Sequence, residues 1–369
     1  MFLKELKIAN FRNCKEVEIL FSPNINCFIG KNGAGKTNLL DAVYYLSFCK
    51  SYFGNLEQQN ITHNENFFSI LGTYQRNDNT ETCQCVLERG KAKQFKLNKK
   101  EYDRLADHIG RYPLVMVSPY DIDLINAGSD ERRRYVDSVV SQFNRTYLDD
   151  LITYNKALVQ RNALLKQFSE TGYFDRNMLE IWDMRMELPA HRIFEIRKSF
   201  AESFTPVFQK HYSLISNEAE TVEIEYESTL SETPFLEVMR QAQEKDRVLR
   251  FSSAGIHKDN LTFKINGFPV KYFGSQGQQK SFLVAMKLAQ FDYIREKTGV
   301  KPILLLDDVF DKLDDERVKQ LVQLAGSDYF GQVFITDTQQ ARIKQIFKGH
   351  HIDHRIFNVE RGRITMHQY

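Results

Sequence analysis

Gly30-Lys31-Asn32-Gly33-Ala34-Gly35-Lys36-Thr37 matches the pattern GxxxxGK[ST] at every defined position. A short apolar run, Ile25–Ile29, precedes this stretch, and apolar residues at helical spacing follow it, which predicts a strand, a loop and a helix. Glycines let backbone N–H groups surround phosphates without Cβ clashes, and the helix N-terminus adds positive potential. We expect Lys36 to reach the β and γ phosphates of a nucleoside triphosphate and the Thr37 hydroxyl to ligate Mg²⁺.

A second stretch, far downstream, places two acidic residues at the end of an apolar run. Ile303–Leu306 is followed by Asp307 and Asp308, and such a run is typical of a buried parallel strand. We expect Asp307 to meet the water shell of Mg²⁺ and Asp308 to orient or deprotonate the attacking water. An apolar run that ends in acids is weak evidence alone, but paired with the 30–37 loop it becomes strong.

Ser275-Gln276-Gly277-Gln278-Gln279-Lys280 has two interpretations. A serine, a glycine and backbone amides at a helix start form an anion site. One triphosphate cannot use two distant sites in a single head, so this second site would cap the triphosphate bound to another subunit in a head-to-tail dimer. The alternative is a helix that begins with Ser275 as an ordinary N-cap. The residues alone favour neither interpretation.

The composition excludes several classes of protein. Of 369 residues, 42% are hydrophobic and 27% are charged, as in globular proteins, and no apolar run approaches the ~20 residues that cross a membrane. Cys83 and Cys85 form a CxC pair, which matches no zinc pattern, and thiols scattered this way suit a reducing cytoplasm. A net charge of +2 is too small to attract DNA globally, so DNA contact requires a local basic patch.

The periodicity predicts an α/β protein whose two chain ends form one ATPase head. Strand signals occupy the first hundred residues and return near residue 250, while apolar residues recur at helical spacing between 145 and 205. Two helices are expected there, the second interrupted by Pro189. We therefore expect a head with mixed β-sheets and flanking helices at 1–100 and 246–369, and an inserted, mainly helical arm lobe at 101–245.

With these motifs in this order, the chain resembles the ABC-type ATPases of DNA repair and chromosome maintenance, and more narrowly the RecF family of bacterial recombination mediators. The similar stretches span nearly the whole chain: 8–13, 30–37, 118–137, 154–166, 255–261, 275–280 and 304–314. The family often has Gly-Pro-His-Arg-Asp-Asp where this chain has Gly-Ile-His-Lys-Asp-Asn at 255–260. Related ATPases often place a histidine where this chain has Thr336, Asp337 and Thr338.

The resemblance implies roles that spacing cannot supply. It implies ATP as the ligand of the 30–37 loop and Arg12 as an arginine in a turn near its phosphates. It implies that a signature acts in trans on the γ-phosphate of a partner subunit, formed by Ser275, Gln276, Gly277 and Gln278. Residues 311–314 would lie at the dimer seam. The role of His257 and the identity of the γ-phosphate sensor among residues 336–338 stay open.

We therefore expect a weak, DNA-stimulated ATPase of the cytoplasm, with ATP and Mg²⁺ as cofactors. ATP would drive head-to-tail dimerisation on junctions of single-stranded and duplex DNA, and slow hydrolysis would release the dimer. This cycle would help to load recombinase in gap repair and SOS induction. RecR and RecO are the partners that the resemblance implies. A transporter ATPase subunit or another chromosome-maintenance complex would use the same chemistry. More than two hundred residues separate Thr37 from Ser275, which argues against the compact insert of a transporter subunit.

Two basic clusters have ordinary interpretations beside functional ones. Residues 132–134 are three arginines, expected on a solvated helix face with salt bridges to Asp130 and Asp137. Five lysines surround Phe95 between residues 91 and 100. They either track a phosphate backbone or form the charged edge of a hairpin.

Overall fold

The computed structural model describes residues 1–54, 56–216, 220–309, 329–347 and 353–366. Its strands are β1 (Phe2–Phe11), β2 (Cys14–Leu20), β3 (Ile25–Ile29), β4 (Phe67–Arg76), β5 (Asn79–Glu88), β6 (Gln94–Leu97), β7 (Lys100–Glu101), β8 (Leu114–Val117), β9 (Val222–Glu227), β10 (Asn260–Ile265), β11 (Phe268–Pro269), β12 (Ile303–Leu306), β13 (Val333–Asp337), β14 (His354–Glu360) and β15 (Arg363–Met366). Its α-helices are α1 (Lys36–Phe48), α2 (Asp123–Asn126), α3 (Ser129–Val140), α4 (Arg145–Thr171), α5 (Arg176–Ser216), α6 (Phe235–Leu249), α7 (Val270–Phe273), α8 (Gln276–Thr298) and α9 (Gln340–Phe347). The predicted α/β class is confirmed. None of the helices in these ranges combines the length and the apolar character that crossing a membrane requires.

The chain forms two compact units, which we call the head unit and the insert unit. The head unit comprises Met1–Asp121 and Gln290–Tyr369, and the insert unit comprises Ile122–Ala289. The insert expected at 101–245 therefore differs from the observed one at both ends. β8 belongs to the head because it pairs in parallel with β12, and β10 belongs to the insert because it pairs with β9. Such pairings between distant segments leave no signal in local periodicity.

Two six-stranded sheets build the head unit. One is antiparallel with the order β2-β1-β4-β5-β6-β7, and the other has the order β15-β14-β3-β13-β12-β8. In the second sheet every pairing is parallel except that of β14 with β15. Helix α1 contacts strands of both sheets, and all of its residues except Thr37 and Asn38 are buried. Apolar packing thus fixes α1, and with it the loop that precedes α1.

The parallel sheet brings three strand ends together. β13 lies between β3 and β12, with Asp337 opposite Ile29 and Ile335 opposite Leu306. All residues of these three strands are buried. Ligands of parallel α/β sheets bind beyond the carboxyl ends of the strands. The fold therefore places the loop after β3, Asp307 after β12 and the end of β13 at one edge.

The insert unit contains a helical hairpin and a small sheet. α4 and α5 pack against each other, and β11, β10 and β9 form a three-stranded sheet. The interruption expected at Pro189 is wrong, because α5 runs for 41 residues through Pro189 and Pro206. A proline inside a helix loses a backbone hydrogen bond and costs about 3 kcal/mol. Burial of Pro189 and the packing of α5 against α4 offset that cost.

Candidate nucleotide-binding site

The 30–37 loop passes so close to other atoms that two of its glycines cannot carry a side chain. A Cβ at Gly30 would lie 2.3 Å from the carbonyl oxygen of Val359. A Cβ at Gly35, where φ is +114°, would lie 2.7 Å from the side chain of Asn13. Gly33 also has a positive φ, +76°, but no described atom lies within 4 Å of its Cβ position. The loop is therefore tightly held on one side and has open space beside Gly33.

Two neighbouring turns fix the carbonyl group of Ala34, in the middle of this loop. The backbone N–H of Gly362, in the β14–β15 turn, donates to that carbonyl over 2.8 Å. The side-chain amide of Asn13, in the β1–β2 turn, donates to the same oxygen over 3.2 Å. The amide of Asn38 in turn donates to the Asn13 Oδ1 over 2.7 Å. These bonds hold the loop in place before any ligand binds.

The Lys36 ammonium lies inside the loop. Its side chain is 4% exposed, and Nζ donates to the carbonyl of Gly30 over 2.9 Å and to that of Lys31 over 3.4 Å. Nζ also lies 3.9 Å from Asp308 Oδ1. The structure thus brings the loop lysine and the second aspartate of the acidic strand end together, as one triphosphate site requires.

Thr37 and Asp307 meet directly, although 270 positions separate them. The Thr37 hydroxyl lies 2.9 Å and 3.1 Å from the two carboxylate oxygens of Asp307. The Thr336 hydroxyl, at the end of β13, donates to Asp307 Oδ1 over 2.9 Å. Burial raises the pKa of Asp307 to about 6, while the hydrogen bonds from Thr336 and Thr37 act in the opposite direction. The carboxyl group therefore ionises at a cost that a cation would offset.

Asp308 has an unusual backbone conformation that Thr336 helps to hold. Its φ is +45°, in the left-handed region that non-glycine residues rarely occupy. Its backbone N–H donates to the Thr336 hydroxyl over 2.8 Å, and its side chain is 28% exposed. The Thr336 hydroxyl therefore orients both aspartates, and the Asp308 carboxylate remains partly accessible to water.

The donor set fits a Mg²⁺ ion that arrives with a nucleotide. Mg²⁺ usually binds one or two protein oxygens together with phosphates and water, and Thr37 and Asp307 offer a hydroxyl and a carboxylate within 2.9 Å of each other. Within the described ranges, no group of three or more His, Cys, Asp or Glu residues could hold a metal ion alone. Thr37 and Asp307 are thus the residues that would hold Mg²⁺.

Arg12 lies on the β1–β2 turn with a φ of +53°. Its side chain is 21% exposed, and its Nη1 donates to Asn38 Oδ1 over 3.2 Å. Asn38 directly follows Thr37, so the guanidinium lies beside the first turn of α1. The phosphate contact expected for Arg12 stays a prediction.

The 275–280 segment begins α8 and lies in the insert unit. The Ser275 hydroxyl accepts the backbone N–H of Gln278 over 3.2 Å, and the Gln278 side chain accepts the backbone N–H of Ser275 over 2.7 Å. This reciprocal pair is a capping box, so the helix-cap interpretation describes what the structure contains. Ser275, Gln276 and Gly277 are nevertheless exposed. The trans role expected for them stays a prediction.

Among the sensor candidates at 336–338, only Thr336 bonds to both aspartates in the described structure. The carboxylate of Asp337 instead accepts the backbone N–H of Gln339 over 2.6 Å.

His257, whose role the sequence left open, lies within the insert unit. Its Nδ1 pairs with the Tyr154 hydroxyl over 2.8 Å, and its Nε2 lies 3.1 Å from the Ser252 carbonyl oxygen. Burial lowers the pKa of His257 to about 4. His257 is therefore a structural residue of the insert.

The basic cluster at 132–134 matches its expected solvated face only in part: Arg134 is exposed and the salt bridge to Asp130 is present, but Arg133 is buried. Arg133 is buried and pairs with Asp130, and Arg132 donates to backbone carbonyls, including that of Ala127 over 3.1 Å. Asp137 pairs with Arg197 over 3.0 Å instead of with the cluster. Periodicity missed this because the cluster packs on segments more than a hundred positions away.

The lysines at 91–100 surround the last strands of the antiparallel sheet, as the hairpin-edge interpretation expects. Lys93 is the exception, because its side chain is 7% exposed and its Nζ donates to the Cys49 carbonyl over 2.6 Å and pairs with Glu57. Lys93 therefore cannot track a DNA backbone.

The 311–314 stretch expected at the dimer seam lies outside the described residues. Two arrangements that shape the site were not predicted: the bonds of Thr336 to both aspartates and the Asn13–Asn38 pair. A polar residue at the end of an apolar strand was the available signal for Thr336. Asn13 and Asn38 carry no comparable signal, since asparagine is common in turns and near helix starts.

Comparisons with known proteins find relatives that match almost the whole chain. The profile of the RecF/RecN/SMC N-terminal domain matches residues 2–363. The DNA replication and repair protein RecF of Flavobacterium johnsoniae is 49% identical over 97% of this chain and 100% of its own length, and that of Phocaeicola vulgatus is 49% identical over 99% and 98%.

Among solved structures, the recombination mediator protein RecF with ATP, in the RecFOR pathway, superposes with a TM-score of 0.90. It is 28% identical and covers 100% of this chain and 98% of the other. An Smc head domain from Pyrococcus furiosus, 16% identical with a TM-score of 0.56 over 99% and 96% of the two chains, shares the fold alone.

Proposed function

This chain belongs to the RecF family, and we propose that it is an ATP-dependent DNA-binding protein of replication and recombinational repair. It is a P-loop ATPase with an ABC-type head. The observation that carries the proposal is the assembly of Lys36, Thr37, Asp307 and Asp308 around one loop, with Lys36 Nζ 3.9 Å from Asp308 and the Thr37 hydroxyl 2.9 Å from Asp307.

We propose that these residues divide the work of ATP hydrolysis. The loop amides and Lys36 bind the phosphates, because an ammonium and backbone N–H groups complement a triphosphate. Thr37 and Asp307 hold Mg²⁺, which neutralises charge on the phosphates when it is bound. Asp308 accepts the proton of the attacking water, since its partly exposed carboxylate can meet water while Thr336 holds its backbone.

We propose that a second copy of the chain completes the site. The capping box uses the backbone N–H of Ser275 and one lone pair of its hydroxyl. Ser275, Gln276 and Gly277 are exposed, so the hydroxyl hydrogen of Ser275 and the N–H groups of Gln276 and Gly277 can face a partner subunit. A helix start of this kind suits a phosphate oxygen. ATP would thereby act as a bridge that holds a head-to-tail dimer, and hydrolysis would dissolve it.

We propose that the dimer binds junctions of single-stranded and duplex DNA in the cytoplasm and helps to load recombinase in gap repair and SOS induction. RecR and RecO are the proposed protein partners. The proposed DNA role and the proposed partners rest on the family and on the RecFOR pathway, which is named for a structural relative. DNA stimulation of a weak ATPase activity belongs to the same proposal.

DNA binding by the full-length chain tests the proposal. Fluorescence anisotropy would compare gapped, single-stranded and duplex DNA with ATP, with ADP and without nucleotide, at a stated salt concentration. We expect ATP to strengthen binding to gapped DNA by at least tenfold, and Lys36→Ala to abolish that increase. Lys7→Ala removes a half-exposed lysine of β1 that pairs with Glu18 of β2, and it should behave like the parent. Equal DNA affinity with and without ATP would contradict the proposal.

A further inference from the structure

Arg12 makes more contacts than a side chain on a surface turn normally makes. Nε donates to Asn60 Oδ1 over 3.1 Å, Nη1 to Asn38 Oδ1 over 3.2 Å and Nη2 to the Ser51 hydroxyl over 2.8 Å. Nη2 also lies 2.9 Å from Asp41 Oδ2. A guanidinium has five N–H groups, so among the described residues one N–H of Nη1 has no partner. The guanidinium is immobilised with one donor unused.

Asp41 is the centre of this arrangement. It lies on α1 and its side chain is 0% exposed. Its carboxylate accepts the Ser51 hydroxyl and the backbone N–H of Tyr52, each over 2.8 Å. Ser51 in turn accepts a hydrogen bond from Arg12, so Asp41 orients Arg12 both directly and through Ser51. Burial raises the pKa of Asp41, and the Arg12 charge opposes that shift, so Arg12 favours the ionised form of this carboxylate.

The unused donor belongs to Nη1, the guanidinium nitrogen that is linked to the phosphate loop. Nη1 is the nitrogen bonded to Asn38, which directly follows Thr37. Asn38 donates to Asn13, and Asn13 donates to the Ala34 carbonyl inside the loop. A continuous chain of side-chain bonds therefore connects the guanidinium with the loop.

We propose that Asp41 is a positioning residue, which holds Arg12 so that its free Nη1–H meets a phosphate of the nucleotide bound at the 30–37 loop. This inference rests on the proposed function, because it takes the loop to bind ATP. It goes beyond that function because it gives a role in nucleotide binding to Asp41, a buried side chain that would not contact the nucleotide. Preorganisation of this kind removes the entropy cost of ordering a long side chain on binding.

A purely structural role is the competing explanation. A buried carboxylate paired with arginine could simply tie the β1–β2 turn and the 51–53 segment to α1. Replacing Asp41 would then lower the stability of the head unit and leave nucleotide affinity unchanged. The two explanations differ in whether the effect of Asp41 passes through Arg12.

A double-mutant cycle on the full-length chain separates them, with a fluorescent ATP analogue and Mg²⁺ as the probe. We expect Arg12→Ala to weaken nucleotide binding about tenfold, the size of one charge-assisted hydrogen bond. Asp41→Asn should weaken it about threefold or more. Asp41→Asn in the Arg12→Ala background should cause no further loss. Arg12→Lys, which keeps a charge beside Asp41 but loses the fork geometry, gives a second background if Arg12→Ala does not fold.

Asp121→Asn is the matched control. Asp121 is also a buried acid of the head unit, and it accepts the Tyr52 hydroxyl over 2.5 Å and the Ser118 backbone N–H without contacting Arg12. It should lower the melting temperature and leave affinity unchanged. If Asp41→Asn behaves like this control, or weakens binding further in the Arg12→Ala background, the positioning role is refuted while the proposed function stands. If Lys36→Ala also leaves nucleotide binding unchanged, the proposed function itself fails.

Discussion

Asp307→Asn is expected to make the nucleotide-free protein more stable at pH 8 while abolishing its Mg²⁺-dependent function. Burial raises the pKa of Asp307 from 3.8 to about 6. The folded protein therefore keeps the Asp307 proton up to a higher pH than the unfolded chain does. Ionised Asp307 therefore destabilises the fold, fully above about pH 6 and not at all below about pH 4. Two pKa units correspond to about 3 kcal/mol. Asparagine avoids this cost and can still accept from Thr37 and Thr336, but its amide hydrogens need new partners. The expected net gain is about 1 to 3 kcal/mol.

Urea unfolding of the nucleotide-free protein at pH 8 and near pH 4 measures this gain. The difference between Asp307→Asn and the parent should be largest at pH 8 and should vanish near pH 4. ATP with Mg²⁺ should stabilise the parent and not the variant. Asp308→Asn makes the same chemical change at a side chain that is 28% exposed and should gain little. A variant that is no more stable than the parent at pH 8 would refute the assignment of Asp307 as a buried, destabilised carboxylate.

Three further changes test single groups. Thr336→Val removes the hydroxyl shared by both aspartates, so the rate of phosphate release should fall about 10²-fold. Thr338→Val should leave the rate of phosphate release unchanged. A Thr336→Val variant as active as the parent would contradict the role of Thr336 in orienting the two aspartates. Asp308 is one methylene shorter than glutamate, so its carboxylate should hold the attacking water less well and Asp308→Glu should speed single-turnover hydrolysis. An unchanged or lower rate would contradict the proposal that Asp308 makes hydrolysis slow. His257→Gln should retain ATP hydrolysis but lose the acid sensitivity that a His with a pKa lowered to about 4 imparts. Its stability relative to the parent should rise as pH falls from about 6.5 to about 4, and parallel pH curves would contradict the buried, neutral assignment.

The sequence predicted those parts of the head that leave a local signal. The strand, loop and helix around residues 25–48 follow from an apolar run, a glycine pattern and helical spacing, and the structure has them at Ile25–Ile29 and Lys36–Phe48. Asp307 was predicted in the same way, because an apolar run that ends in acidic residues indicates a buried strand with a polar site at its end. Its meeting with Thr37 follows from the parallel sheet, in which β13 joins β3 to β12.

Features that depend on distant partners could not be predicted. The boundaries of the insert unit are set by pairings such as β8 with β12, between residues nearly two hundred positions apart. Arg132 and Arg133 looked solvated because charge patterning assumes an exposed helix, whereas the structure buries Arg133 and bonds it to the backbone carbonyl of Asp259. Pro189 suggested a break because propensity does not include the packing that supports α5.

Mixing two inactive variants tests most directly the central claim that two subunits build each ATPase site. Lys36→Ala disables the phosphate loop of its own chain, and Ser275→Arg disables only the signature that its chain offers to a partner. In a mixed head-to-tail dimer, one site then combines an intact loop with an intact Ser275. We predict that each variant alone is inactive and that an equal mixture recovers up to about a quarter of the parent ATPase rate, since half of the dimers are mixed and each has one working site. A mixture that stays inactive, or a Ser275→Arg variant that hydrolyses ATP normally by itself, would contradict the shared site.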